Sequence, residues 1–274
     1  MMKVLAGIVV YRPDMKRLEE NIHAVRGQVD RVVLFDNGGL DRNLVPEGVE
    51  VLGQGENLGI AAALNAICTR AEQEGYAWAL TLDQDSVCPE GLIEAYGPYA
   101  DDPGTGMLCP AVLDRGYGSL AYDRGQNDCD EVDACITSAS LIRIRAWRDA
   151  GGFLEDLFID MVDFDICWSL REHGWRIVRV NGKTLLQEIG HSRRVSLLGK
   201  EEVVFNHNPL RCYYMIRNTL AVGVRHRRFR QCLRWVLKRI LLINLFEKDR
   251  CAKNRMMLRG WIDFRNKVSG AYKR

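Results

Sequence analysis

Two aspartates spaced two apart, Asp83 and Asp85, close the apolar run Ala77-Trp78-Ala79-Leu80-Thr81-Leu82. Carboxylates at such a strand end can place one oxygen on a divalent cation, while the other takes a ribose hydroxyl or a metal-bound water. Hard oxygen ligands at an open site favour Mg2+ or Mn2+, with diphosphate oxygens completing the shell. Asp36 ends a second apolar run, in Phe35-Asp36-Asn37-Gly38. A lone strand-end Asp is often a turn former or helix cap; three falling at strand ends suggest a binding edge. The densest acidic group is Asp160, Asp163 and Asp165, just ahead of a helical pattern. Helix capping accounts for one of them. Apolar neighbours raise a carboxylate's pKa and make it a usable general base, and spacing leaves open which of the three points inward.

These residues need a frame. Val4–Tyr11 and Arg31–Phe35 read as strands around a helix from Asp14 to Arg26. Val49–Leu52, Trp78–Leu82 and Met107–Val112 read as further strands, with helices over Gly59–Glu74 and Pro89–Tyr99 between them. Residues 114–130 read as a long exposed loop and Ala134–Ile144 as a strand. A helix follows over Asp163–Glu172, then a strand Trp175–Val180 closed by a turn at Asn181-Gly182. The alternation predicts an α/β protein built on a mostly parallel sheet, which binds ligands beyond the carboxyl ends of its strands. Asn57-Leu58-Gly59 opens the second long helix, placing Asn57 and the helix start beside that edge. Three helical segments, near 209–225, 227–246 and 250–268, complete the chain.

The 274 residues carry 38 basic and 36 acidic side chains, and the near-balance hides a division. Residues 1–210 hold 20 basic and 33 acidic residues; residues 211–274 hold 18 basic and 3 acidic. The expected organisation is therefore a catalytic-type domain over 1–210 and a basic helical extension over 211–274. Balanced overall charge, an acidic body and the absence of any recognised nucleic-acid motif argue against nucleic acid as a partner. Nine cysteines without a Cys-x-x-Cys pair argue against zinc or a disulfide framework and fit a reducing cytoplasm. Val4–Tyr11 reads as a first strand rather than a signal peptide. No apolar run is long enough to span a bilayer; the nearest, Trp235–Phe246, is broken by Lys238-Arg239.

Taken in order, Asp36, Asn57-x-Gly59, Asp83-Gln84-Asp85, Thr137-Ser138-Ala139-Ser140, Gly151-Gly152-Phe153, Asp160-Met161-Val162-Asp163 and Asn206-His207-Asn208-Pro209-Leu210-Arg211-Cys212-Tyr213-Tyr214-Met215-Ile216-Arg217-Asn218 resemble the family 2 glycosyltransferases. They are most similar to the bacterial rhamnosyltransferase branch, over roughly residues 3 to 220. The resemblance implies a GT-A fold, a Rossmann-like sheet binding a nucleotide-diphosphosugar, and an inverting, divalent-metal-dependent transfer. It implies donor contacts from Tyr11, Asp36, Asn57 and Asp83, with Asp85 on the metal and Asp163 as general base. Arg211, Tyr214 and Arg217 are implied near the donor diphosphate or the acceptor entrance. The donor expected is dTDP-rhamnose, with uridine-linked hexoses as the alternative; a non-catalytic sugar-nucleotide-binding protein is a second reading. The acceptor expected is a saccharide or lipid-linked saccharide of cell-surface polysaccharide synthesis.

Four positions depart from the pattern. Val10 stands where Thr is usual, Ala139 replaces a Gly, and Ser169 replaces a common Arg. Gln187 occupies the position expected of a metal-binding His, which leaves His191 as an alternative ligand. Beyond these motifs, helical spacing puts Phe229, Leu233, Val236, Leu237, Ile240 and Leu241 on one apolar face flanked by arginines. Such a helix suits the anionic inner face of the cytoplasmic membrane; the alternative is packing on the body with solvated arginines.

Overall fold

The computed structural model describes residues 2–114, 127–187, 193–197 and 199–273. Four parallel strands form one half of the main sheet: β1 (Val4–Val10), β2 (Arg31–Asp36), β3 (Glu50–Leu52) and β4 (Trp78–Asp83). The other half contains β5 (Thr105–Asp114), β6 (Cys129–Glu131), β7 (Ser140–Arg143) and β8 (Arg176–Gln187). The order across the sheet is β3-β2-β1-β4-β7-β5-β8-β6. β7 runs antiparallel to both β4 and β5, and β6 runs antiparallel to β8, so the sheet is mixed.

Both faces of the sheet are covered, and the pleat of β1 shows how. Leu5 and Val9 point into a core shared with α2 (Ile60–Gln73) and α5 (Val162–Glu172). Val4, Ala6, Ile8 and Val10 point into the opposite core, with α1 (Met15–Arg26) and α3 (Leu92–Ala100). A strand buried on both sides reads as a continuous apolar run for this reason. Asp14 caps α1 by accepting from the Lys16 and Arg17 amides. Gly7 permits the close approach of α2: a Cβ there would lie 2.2 Å from Ile67 Cγ2.

Several expectations need correction. The strand expected over Ala134–Ile144 is formed only over β7; residues 144 onward turn into α4 (Ile144–Asp149). Asn181-Gly182 does not close a strand. β8 continues through it, with Pro110 paired to Val180 and Ala111 to Thr184, so the extra residues are absorbed as a bulge. Asn181 is buried there, donating to Asn127 O and Asp130 Oδ2. The supposed loop 114–130 ends in β6, and residues 115–126 lie outside the described ones. A hairpin of β9 (Arg193–Leu197) and β10 (Lys200–Val204) was not foreseen.

The last three helices are α6 (Pro209–Arg225), α7 (Phe229–Phe246) and α8 (Arg250–Arg265). They share a small core of Cys212, Ile216, Leu220, Val236, Ile243 and Met257. The single apolar face expected of α7 is in fact two. Cys232, Val236, Leu242 and Ile243 are buried, whereas Leu233, Leu237, Leu241 and Leu245, each four residues on, stay exposed. Among the described residues no helix is long and apolar enough to cross a membrane.

Candidate functional site

Strand register brings the first acidic residues together. Val10 of β1 pairs with Asp36, and Val9 pairs with Asp83, so these carboxylates stand on neighbouring rungs of one sheet edge. Asp36 is buried; its Oδ1 accepts from the Gly38 amide at 3.1 Å and its Oδ2 from Arg42 at 3.3 Å. Tyr11 follows β1 with its ring exposed, packed beside Gly38. Its backbone is clamped by Gln84, whose Oε1 accepts from the Tyr11 amide at 2.7 Å while Nε2 donates to the Tyr11 carbonyl. Gln84 was read only as the spacer between two aspartates; it ties the ends of β1 and β4 together. Asn57 is exposed and accepts from the Gly59 amide, turning the chain into α2. Asp85 is exposed at the same edge.

A cavity of about 470 Å3 opens beyond this edge. Asp83, Thr137, Asp160, Asp163 and Arg211 all line it, with Ile60, Met215 and Thr219 among its apolar walls. Asp163 sits in the first turn of α5, and its Oδ1 accepts from Thr137 Oγ1 at 3.2 Å. Burial pushes its carboxyl up to about 6; the Thr137 hydrogen bond and Arg211 oppose this, and the charge of Asp160 adds to it. Asp83 is pushed up to about 7, first by burial and then by Asp85 and Asp163. Asp160 is also raised by burial, against the pull of Arg211, which donates to its Oδ1 through Nε at 3.2 Å and Nη2 at 3.0 Å. Asp165, the third member of the cluster, points away: its Oδ1 meets His226 Nε2 at 3.0 Å in the interior.

The loop that delivers Asp160 and Asp163 is held in a costly shape. Phe158, Asp160 and Met161 all have φ near +65°, a region that costs roughly 1–3 kcal/mol per non-glycine residue and persists only when its surroundings enforce it. Asn218 of α6 supplies that enforcement, donating to the carbonyls of Leu157, Ile159 and Asp160 at 2.8, 2.6 and 3.2 Å. Arg217 reinforces it from the buried side, donating to Asp156 and Leu157 carbonyls. Arg217 is 2 % exposed and Tyr214 is 3 % exposed, stacked on Phe158. Neither lines the cavity; both brace the loop from behind. Gly59 fits the same contact, since a Cβ there would lie 2.6 Å from Phe158 O.

Thr137 and Ser138 are positioned by β4. Thr81 Oγ1 donates to Thr137 O at 2.6 Å, and Ser138 Oγ accepts from the Asp83 amide at 3.1 Å. Ala139 has φ +57° and is fully buried in the core under β4. That conformation explains why a glycine suits the position, and its methyl faces core, not acceptor.

Among the described residues no three His, Cys, Asp or Glu side chains group as a metal cage. His191 lies outside the described residues, as does the side chain of Gln187. The residues present nonetheless suit a divalent cation. The oxygens are hard, Asp83 and Asp163 are held above their ordinary range in part by neighbouring negative charge, and Asp160 Oδ2 has no hydrogen-bond partner among the described residues.

A mixed sheet with acidic residues ranked along its strand ends, facing a second carboxylate across a cleft, fits the GT-A fold. The sequence profile of glycosyl transferase family 2 matches residues 7–154, and the chain belongs to that family. It is rhamnosyltransferase-like: dTDP-rhamnosyl transferase RfbF of Shigella flexneri is 25% identical over 238 residues, covering 80% of this chain and 79% of the relative. S. aureus TarS 1-349 superposes with a TM-score of 0.63 at 16% identity, over 97% of this chain and 81% of that one. GalNAc-T7, solved with UDP, GalNAc and Mn2+, superposes with a TM-score of 0.61 at 13% identity. The match covers 81% of this chain and 48% of GalNAc-T7, about half that protein's length.

Proposed function

We propose that this glycosyltransferase moves a sugar from a nucleoside-diphosphate donor to a saccharide hydroxyl with inversion at the anomeric carbon, with Asp163 as the general base. One observation carries the reading: Asp163, raised to about 6 and steadied by Thr137, faces the same cavity as the strand-end Asp83. The acceptor oxygen forms its bond to the anomeric carbon as the bond to the diphosphate oxygen breaks. The electron pair leaves with the nucleoside diphosphate, and the acceptor proton passes to an Asp163 carboxylate oxygen. A base with a pKa just below neutral is ionised at working pH yet still holds a proton well.

Tyr11, Asp36 and Asn57 bind the nucleoside end of the donor along the β1–β2 edge, with Asp83 toward the ribose. Asp85, seconded by Asp83, holds Mg2+ or Mn2+; when bound, the cation neutralises charge developing on the leaving diphosphate. Arg211 opposes the burial-driven rise of the Asp160 pKa and holds that carboxylate in place at the cleft. His191, or Gln187, is the proposed third ligand. The favoured donor is dTDP-rhamnose, by likeness to RfbF. A uridine-linked sugar is the second reading, favoured by the UDP-GlcNAc bound to TarS at a TM-score of 0.61.

The acceptor is a saccharide or lipid-linked saccharide, and the extension 211–274 rests peripherally on an anionic cytoplasmic bilayer face. Supporting that contact, the exposed Leu237, Leu241, Leu258 and Trp261 lie on helices that also expose Arg234, Arg255 and Arg265. Thermal-shift titration with a panel of sugar nucleotides, each with and without Mn2+, tests the donor. A metal-dependent rise in Tm with dTDP-rhamnose is expected, and no response to any sugar nucleotide refutes the reading. Co-sedimentation with phosphatidylglycerol vesicles tests the membrane contact; protein left in the supernatant at physiological salt refutes it.

A further inference from the structure

A second cavity, of about 480 Å3, adjoins the catalytic one. Phe164, Met215 and Thr219 line both, so the two are separated only by shared side chains. The second is walled by α6, α7 and the strand β10, and its surface is largely apolar, with Phe205, Ile216, Trp235 and Leu242. Its size is that of an ordinary small-ligand pocket. A void so apolar, next to a site that handles sugars and phosphates, is not explained by the transfer chemistry.

Of the charged residues in its wall, Glu201, Glu202, Lys238 and Arg239, the last carries an unpaired donor. Arg239 of α7 lies with its guanidinium carbon 4.5 Å from the centre of the Phe205 ring. Its Nε is buried with no hydrogen-bond partner among the described residues. The acidic groups in the same wall are already engaged: Glu202 pairs with Lys238 at 2.7 Å and Glu201 with Arg194 at 2.9 Å. Asp160 and Arg211, at the cavity shared with Asp163, are among the charges that Arg239 feels. A buried donor left unpaired is costly, and an anion supplied by a ligand would satisfy it.

We propose that this cavity seats the apolar part of the acceptor, an aliphatic chain joined to the saccharide through a phosphate, with Arg239 holding that phosphate. The chain then lies between α6, α7 and β10, the phosphate meets Arg239, and the attached saccharide reaches Asp163 past Phe164 and Met215. The inference rests on the transferase reading, from which it takes the position of the acceptor hydroxyl. It makes Arg239 a binding residue that acts on the acceptor and not on the donor.

Calorimetry on the full chain with geranyl phosphate, geraniol and inorganic phosphate tests it, beside a titration with dTDP-rhamnose and Mn2+. Geranyl phosphate should bind at least about tenfold more tightly than either geraniol or inorganic phosphate, about 1.4 kcal/mol. Arg239→Gln should lower its affinity by about tenfold or more, and Met215→Trp, which narrows the passage, should lower it too. Geranyl phosphate no tighter than inorganic phosphate overturns the seat, and equal affinity for geraniol overturns the role of Arg239. Either result with donor binding intact leaves the transferase reading standing; loss of donor binding in the wild-type protein overturns both. The wild-type titrations decide the matter even if a variant fails to fold.

Discussion

The Asp163 carboxyl offers the sharpest test of the proposed chemistry. The folded site holds its proton at about 6 where a free aspartate releases it at 3.8, roughly 3 kcal/mol of differential interaction. The protonated form cannot accept a proton, so kcat should be flat above about pH 7 and fall about tenfold per pH unit well below 6. Arg211 lowers this pKa; Arg211→Gln should therefore move the acid limb to higher pH. Thr137→Val, which removes the hydroxyl donated to Asp163 Oδ1, should shift it the same way. Asp163→Asn should cut kcat by about 10²–10⁴-fold, the usual contribution of a general base, and abolish the limb. The assay is steady-state transfer at saturating donor and Mn2+ from pH 4.5 to 8.5, with donor affinity measured separately. An Asn variant within tenfold of wild type, or one that keeps an inflection near pH 6, would refute the assignment.

Substitutions at three other positions probe the scaffold. Asn218→Ala removes three hydrogen bonds to the strained Phe158–Met161 loop; a loss of about 2–3 kcal/mol in urea unfolding is expected, with kcat falling more than donor affinity. His226 is buried, which pulls its pKa down, yet hydrogen bonds to Asp165 and Glu172 outweigh this and raise it. Its contribution to stability is therefore complete below the unfolded value near 6.5 and lost as pH rises through the folded value, so His226→Gln should cost about 3 kcal/mol at pH 6 and less at pH 9, read from paired melts. Ala139 sits at φ +57° in the core; Gly should be tolerated within about 1 kcal/mol, whereas the β-branched Val should cost about 2–3 kcal/mol by calorimetric Tm.

The half of the sheet built from β1 to β4 was legible because each strand is a short, bounded apolar run. Val4–Val10 and Trp78–Asp83 are buried on both faces, and their terminal acids follow directly from the run's end. The second half was not, because its signals compete. Ala134–Ile144 is strand-like in composition, yet only four residues pair, since Thr137–Ala139 must turn to place hydroxyls beside Asp83 and Asp163. Asn181-Gly182 has the composition of a hairpin turn, but its neighbour β5 continues the ladder past it. In the acidic cluster, spacing alone left open which carboxylate points inward; the buried pair of His226 with Asp165 takes one into the core and leaves Asp160 and Asp163 for the cleft. Tyr214 and Arg217 belong to a recognisable motif whose binding role could be guessed, but their burial against Phe158 and the 156–157 carbonyls is a tertiary fact no local pattern carries.

The charge division at residue 210 also acquires a different meaning from contact geometry. Cations of the basic segment reach back to acids of the body: Arg211 to Asp160 at 3.0 Å, Arg225 to Asp165 at 3.2 Å, Arg228 to Asp133 at 2.6 Å and Lys238 to Glu202 at 2.7 Å. Asp165 is 1 % exposed and Asp160 15 %, so salt screens the pairs with Arg225 and Arg211 far less than it screens surface charge. The remaining exposed arginines, among them Arg230, Arg234 and Arg255, are open to screening. The proposed membrane contact and the contacts within the cleft therefore separate by ionic strength. Raising salt from 0.1 to 0.5 M should release protein from anionic vesicles while leaving donor affinity nearly unchanged. A chain ended at 210, by contrast, loses Arg211 and Asn218 together, so Asp160 is left without its counter-ion and the strained loop without its brace. The sequence divides by charge at that point, but the cleft is built from both sides of it.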